Sequence, residues 1–417
     1  MTDWFDRARF GMFVHWGHVS QQGWELSWPL VGGAPVFPAC QDVPAAAYHA
    51  GATAFCPRPG AARDWMARAK RAGMGYAVLT TKHHDGFALW PSRAADWSIA
   101  RTPYGGDLVR EFVDAARDAG LRVGFYFSLS DWHHPDYPPF TDADRPYRYG
   151  LVPRPTDEQW ARFQTVLFAQ VEELLSDYGR IDLIWFDGGW ERPAEVWRAA
   201  ALAARIRELQ PGILINDRLP GEGDFDTPEQ FVPAQPPARR WETCLTINDS
   251  WGWNPTDTNH KSARALVHTL CEVAGRGGNL LLNVSPTGEG SLPAVQVERL
   301  DALAAWMAVH GESIVDTQAG LEAWQFYGPT TRRGRTVYLH LLLRPYDTVT
   351  VRGVPIRRVG AVRALRGATP LTFRTRCSVL DQMLNSDPLG ELVIDVPDAV
   401  LDPLATVLAF DVAPSAV

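Results

Sequence analysis

The residues best suited to chemistry sit where short apolar runs end. Asp187 closes the run Ile181–Phe186 (IDLIWF) and is followed by Gly188 and Gly189. Paired glycines let a ligand approach the backbone closely. A carboxylate so placed is either a nucleophile or base, or a cap for the next helix. Three glutamates could partner it: Glu25 in Gly23-Trp24-Glu25, Glu229 in Asp226-Thr227-Pro228-Glu229, and Glu242 in Trp241-Glu242-Thr243. Hydrolysis of a glycoside needs such a pair, one carboxyl nucleophilic and the other protonated, but spacing along the chain gives no distance between candidates. Arg218, in Ile215-Asn216-Asp217-Arg218, could bind Asp187 or a hydroxyl, or form a plain structural salt bridge.

Two histidine pairs lie at other run ends, His83-His84-Asp85 and His133-His134. Neighbouring residues on an extended chain point to opposite sides, and no HExxH-like spacing is present. No metal is therefore expected, and His83 and His84 suit hydrogen bonding to vicinal hydroxyls. The run Gly275-Arg276-Gly277-Gly278-Asn279 has some look of a phosphate loop, but it precedes a strand-like run instead of opening a helix. No Gly-x-Ser-x-Gly elbow suggests an acyl-transfer serine. No cofactor is expected.

These residues need a scaffold, and apolar runs alternate with helical patterns over the first 310 positions. Strands are predicted at 9–16, 76–81, 123–129, 182–186, 213–215, 243–247 and 279–284. Helices are predicted at 61–72, 157–176, 194–209, 262–274 and 292–310, with a further one N-capped by Asp107. Continuous apolar strands between helices mean parallel strands covered on both faces. A doubly wound sheet and a closed barrel both fit. The polar clusters at nearly every strand end favour the α/β class with a (β/α)8 TIM-like barrel, whose chemistry sits at those ends. After about residue 315 the texture becomes strand-like runs at 336–343, 348–351, 391–396 and 406–410 without a convincing helix, which predicts a small antiparallel β-sandwich. The expected division is a catalytic barrel over 1–314 and a C-terminal sandwich over 315–417.

Net charge is −8 over 417 residues, which argues against nucleic-acid or anionic-membrane partners. No segment approaches the ~18 apolar residues of a membrane span. The opening Met1-Thr2-Asp3-Trp4-Phe5 has no basic head or long apolar run. Five cysteines without a CxxC pair fit reduced, mostly buried thiols. A cytoplasmic location is the expectation. Seventeen tryptophans are a heavy load, and at loop mouths such rings are what sugars stack on.

In family order, the strings Phe10–Gly17 (FGMFVHWG), Leu79–Phe87 (LTTKHHDGF), Gly124–Trp132 (GFYFSLSDW), Trp185–Gly188 (WFDG), Trp241–Cys244 (WETC) and Gly277–Gly288 (GGNLLLNVSPTG) resemble the α-L-fucosidases of glycoside hydrolase family 29. The resemblance implies an irregular (β/α)8 barrel, a retaining mechanism without metal, and a fucosylated oligosaccharide or glycoconjugate as substrate. It makes Asp187 the nucleophile and places His15, His83, His84, Tyr126, Trp185 and Arg218 around the fucose. Many members carry a Glu-Trp pair soon after the His-Trp-Gly string. This chain reads Gly23-Trp24-Glu25-Leu26-Ser27-Trp28-Pro29 instead, with Glu25 the candidate for a fucose hydroxyl. The Thr-Pro-Glu context makes Glu229 the acid/base, on a loop able to reach a leaving oxygen. Glu242 is its competitor, otherwise fixing the binding shell or holding a hydroxyl. Two other readings stand beside this one: a retaining glycosidase for a related sugar such as α-L-galactose, and a non-catalytic sugar-binding protein.

Overall fold

The structure, a computed structural model, describes residues 3–33, 40–148 and 152–414. Met1 and Thr2, where the reading for a leader begins, lie outside the described residues. Seven strands form one parallel sheet: β1 (Phe10–Val14), β2 (Tyr76–Lys82), β3 (Arg122–Ser128), β4 (Leu183–Asp187), β5 (Leu214–Ile215), β6 (Glu242–Thr246) and β7 (Asn279–Val284). Their order is β5-β4-β3-β2-β1-β7-β6. Nearly every strand residue is buried, as the unbroken apolar runs require when helices cover the outside and side chains fill the middle.

The sheet curls, and its two ends meet through a segment that no apolar run announces. Asn216 pairs in parallel with Phe225, Asp226 with Trp241, and Glu229 with Cys244. The eighth barrel position is thus filled by isolated bridges over residues 225–229, with Pro228 in the middle, in place of a regular strand.

Helices α1 (Asp3–Ala8), α2 (Ala45–Ala52), α3 (Ala61–Arg71), α4 (Leu108–Asp118), α5 (Asp157–Ser176), α6 (Ala194–Trp197), α7 (Ala199–Leu209), α8 (Ala263–Gly275) and α9 (Ala294–His310) accompany the sheet. Asp107 caps α4 as expected, its carboxylate accepting from the Arg110 amide at 2.8 Å. Thr156 and Gln159 close a capping box on α5, and Ser262 caps α8. The helix predicted over 194–209 is two helices, broken where Arg198 adopts φ 53°.

Antiparallel strands follow from Gln318 in two sheets. Strands β8 (Gln318–Ala319), β9 (Thr330–Arg333), β10 (Thr336–Leu341), β12 (Val359–Ala364) and β15 (Thr406–Val412) form one, and β11 (Thr348–Pro355), β13 (Phe373–Arg376) and β14 (Leu389–Asp395) the other. Their inner faces enclose a separate apolar core around Leu339, Val351, Leu392, Ile394 and Leu408. Contrary to the expectation of no helix here, α10 (Val379–Leu384) connects β13 to β14. Its Ser378 cap accepts from the Asp381 amide, so a local cap and not core packing holds it. The sandwich packs on the barrel through Trp306, whose indole donates to the Ala405 carbonyl at 2.9 Å. The cysteines are free, but only Cys244 and Cys271 are buried, which corrects the expectation of mostly buried thiols.

Candidate active site

At the C-terminal mouth of the parallel strands lies a cavity of about 660 Å3, within the usual size for a small-molecule site. Asp187 is the last residue of β4 and is buried. Gly188 follows at φ 74°, and a Cβ there would stand 2.4 Å from Ser130 Oγ, so the chain turns away from the strand only with glycine at this point. The β3/β4 register sets Tyr126 beside Trp185 and Ser128 beside Asp187. The Tyr126 hydroxyl donates to Asp187 Oδ2 at 2.8 Å, and its ring stacks on Trp185 at 5.7 Å.

Arg218 emerges from the loop after β5 and serves both candidate catalytic carboxylates. Its guanidinium donates to Asp187 Oδ1 at 3.1 Å and to Glu229 Oε2 at 2.5 Å. The same group lies over the Trp185 ring, 4.5 Å from its centroid. Burial opposes the guanidinium charge, but Asp187 and Glu229 outweigh it and hold the arginine well above its ordinary range. Glu229 itself comes from the irregular closing segment of the barrel, and its side chain is 35% exposed against 11% for Asp187.

Three histidines complete the wall. His15 follows β1, and its Nδ1 lies 2.7 Å from Asn283 Oδ1. The Asn283 amide nitrogen donates to the Trp251 carbonyl, which orients the amide so that its oxygen takes the His15 Nδ1 proton. Nε2 of His15 is then an acceptor for a ligand hydroxyl. Burial, then the neighbouring His83, pushes His15 down to about 3, so it is neutral. His83 bonds through Nδ1 to Ser27 Oγ at 2.6 Å, and that oxygen already accepts the Asp85 amide. With Nδ1 committed to the serine, Nε2 is the His83 ring nitrogen left for a ligand hydroxyl. His84 Nδ1 lies 2.7 Å from Ser128 Oγ, and its Nε2 is 3.8 Å from Asp187 Oδ2. Burial likewise drives His83 well down and His84 to about 3.

The two adjacent histidines do not point to opposite sides. Their ring centroids are 4.1 Å apart and both line the cavity. Strand β2 ends at Lys82, and the chain turns at once, with the Gly86 amide bonded to the His83 carbonyl at 3.0 Å, so the alternation of an extended chain no longer applies. As a result His83, His84 and Asp187 offer ligand atoms within 4.8 Å of one another, a grouping that could hold a metal ion. The Arg218 charge on the same aspartate opposes a second cation there.

Two predicted contacts are not in the cavity wall. Glu25 is fully buried behind it, accepting the Trp251 amide at 2.7 Å and the Gly252 amide at 3.0 Å. It positions the loop carrying Trp251 and does not face a sugar. Glu242 points into the barrel interior beneath Trp185, accepting that indole N–H at 3.2 Å and the Tyr76 hydroxyl. Burial raises each to about 8. His133 also lies away from the cavity, stacked on Trp97 at 4.3 Å. Conversely, Phe13, Trp28, Trp190 and Trp251 line the cavity and were not singled out in the sequence. Phe13 was legible as the residue two before His15 on the same strand face; Trp28, Trp190 and Trp251 stand on loops, where only a position after a strand end hinted at them.

The model of the alpha-L-fucosidase family matches residues 1–312. Tissue alpha-L-fucosidase of Mus musculus is 30% identical over 334 residues, covering 75% of this chain and 71% of that protein. The solved structure of alpha-L-fucosidase isoenzyme 1 from Paenibacillus thiaminolyticus superposes with a TM-score of 0.86 at 35% identity, covering 99% of this chain and 98% of that one. A family 29 alpha-L-fucosidase from Bacteroides thetaiotaomicron, at 25% identity, TM-score 0.81 and coverage of 99% and 96%, was solved as a covalent intermediate trapped with 2-fluoro-fucosyl fluoride in a glutamate-to-glutamine mutant. This chain belongs to the alpha-L-fucosidase family, glycoside hydrolase family 29.

Proposed function

We propose that the protein is a retaining exo-α-L-fucosidase that removes terminal α-L-fucosyl residues from oligosaccharides or glycoconjugates. The observation that carries this reading is the pair Asp187 and Glu229, two carboxylates held by one guanidinium at the mouth of a cavity walled by neutral histidines and aromatic rings. The trapped covalent intermediate of the Bacteroides relative supports a double displacement.

In the first step Asp187 Oδ attacks C1 of the fucosyl ring while Glu229 gives its proton to the leaving oxygen, so the C1–O bond breaks as the ester bond forms. In the second, Glu229 takes a proton from water, whose oxygen attacks C1 and releases Asp187. The proton taken from water restores the acid form of Glu229 for the next turnover, and the greater exposure of this carboxylate leaves it open to that water. The Tyr126 hydroxyl and Arg218 keep Asp187 aimed at the cavity. His15 accepts from a sugar hydroxyl, and His83 bonds another through Nε2. His84, Trp185 and Arg218 complete the shell, and the positive guanidinium takes the place of any metal. The test is NMR observation of the first-formed anomer from p-nitrophenyl α-L-fucoside. Retention is expected, and an inverted product overturns the mechanism.

A further inference from the structure

One aromatic ring at the cavity rim is exposed, yet fixed more firmly than an exposed side chain ordinarily is. Trp190 lines the mouth and is 40% exposed. It belongs to the short turn Gly189–Glu191 that leaves Asp187. Its indole N–H donates to the Tyr147 hydroxyl at 2.9 Å, and that hydroxyl donates in turn to Glu191 Oε1 at 2.8 Å. Glu191 is itself buried and also accepts the Trp132 indole N–H at 3.0 Å and the Tyr137 hydroxyl. A buried carboxylate with three donors is a rigid anchor, and the relay through Tyr147 transmits that rigidity to the exposed ring.

The turn that carries the ring also packs on the segment of Arg218. A Cβ on Gly189 would meet the Arg218 carbonyl at 2.5 Å and Pro220 at 3.2 Å, so the turn rests directly on the segment whose guanidinium reaches Glu229. Trp190 meets His84 edge-on at 5.5 Å on its inner side. The indole N–H is already satisfied within the protein, so what the ring offers a ligand is apolar surface. An apolar ring held in one orientation suits the C–H face of a pyranose and binds it without first having to be ordered.

Given the fucosidase reading of the cavity, we propose that Trp190 forms the subsite for the sugar next to the fucose, taking the apolar face of a pyranose aglycone, with the Glu191–Tyr147 relay holding it in place. The protein is then a glycan-directed enzyme that recognises a fucosyl-pyranose unit and gains little from a leaving group without a ring.

The test compares kcat/KM on α-L-fucosyl fluoride, which carries no aglycone ring, with that on the best-cleaved member of a panel of α-L-fucosyl disaccharides. Trp190→Ala is expected to lower the disaccharide value about tenfold more than the fluoride value, chiefly through KM. Trp190→Phe, which keeps a ring, should recover most of the loss, and Tyr147→Phe, which leaves the indole N–H without its acceptor, should fall between. Equal losses on both substrates overturn the proposal, because Trp190 would then serve the fucose pocket through His84. Unchanged values on both overturn it too, as does a wild type that cleaves the fluoride but none of the disaccharides. A wild type inert toward α-L-fucosyl fluoride overturns the fucosidase reading and the subsite together.

Discussion

Replacing Glu242 with glutamine should make the protein's stability less sensitive to alkaline pH. The carboxyl is fully buried between the Tyr76 hydroxyl and the Trp185 indole, with no cationic partner among the described residues, and burial lifts it from its ordinary value of 4.5 to about 8. Between those values the folded form holds a neutral carboxyl while the unfolded chain carries a carboxylate. Raising the pH therefore favours the unfolded chain, by about 1.4 kcal/mol for each pH step. The stabilising protonation is complete below pH 4.5 and is lost as pH climbs toward 8. From pH 5 to pH 7.5 the wild type should lose about 3 kcal/mol through this one group. In Glu242→Gln the amide oxygen can still accept from Trp185 and the amide nitrogen can face the Tyr76 oxygen, so packing and bonding are kept while the titration is gone. Urea unfolding of both proteins at the two pH values measures the difference directly, and the slope contributed by Glu25, also raised to about 8, cancels between them. Parallel losses in wild type and variant would refute the reasoning, because the buried group would then be charged in the folded protein. The same variant bears on catalysis: with both of its oxygens committed beneath Trp185, Glu242→Gln should slow natural and activated substrates alike, without the selective loss that marks a general acid.

Asp187→Ala should lose on the order of 10³-fold or more in turnover while still binding fucose, and external azide should partly restore it as an azido-sugar; full activity in the variant would remove Asp187 from the chemistry. Glu229→Gln should slow natural fucosides far more than p-nitrophenyl α-L-fucoside, which departs without full protonation; equal slowing would reassign the acid. Chelator treatment should leave turnover unchanged, since the Arg218 charge already paired with Asp187 opposes a second cation at His83 and His84; a loss on EDTA that one divalent ion restores would contradict this.

The parts of the barrel that were legible in the sequence are those where one physical rule dominates. The strand predicted over 279–284 coincides with β7, and the helix over 157–176 with α5, because unbroken apolar runs and an apolar stripe between a Thr cap and the chain's next turn leave few alternatives. Helix α2 was missed because its run of alanines carries no amphipathic contrast. The helix over 194–209 read as continuous because a break at a left-handed arginine has no compositional mark. At the site, Asp187 and Arg218 were legible because strand ends are where barrels place chemistry. Glu25 and Glu242 were misplaced because residue type does not say which way a side chain leaves the backbone. One faces inward to a loop amide pair and the other inward to an indole. Of the guanidinium shared by Asp187 and Glu229 only the Asp187 half was legible, since Glu229 reaches Arg218 from the closing segment 225–229, which no apolar run announces.

That junction ties the irregularity of the barrel to its chemistry. A regular eighth strand would bury Glu229 in a ladder with its side chain fixed in direction, as Asp187 is at the end of β4. The segment 225–229 is instead bonded chiefly along β6, where the Glu242 and Cys244 amides donate to the Asp226 and Pro228 carbonyls at 2.9 and 3.1 Å, with a proline that withholds one donor. The acid must protonate a leaving oxygen in one step and deprotonate the water that takes its place in the next, so it faces a site that aglycone and water enter in turn, whereas the nucleophile stays with C1 throughout. The buried carboxylate thus sits at the end of the continuous strand and the more exposed one on the interrupted segment. Arg218, bonded to both, holds the two groups on one side of the cavity.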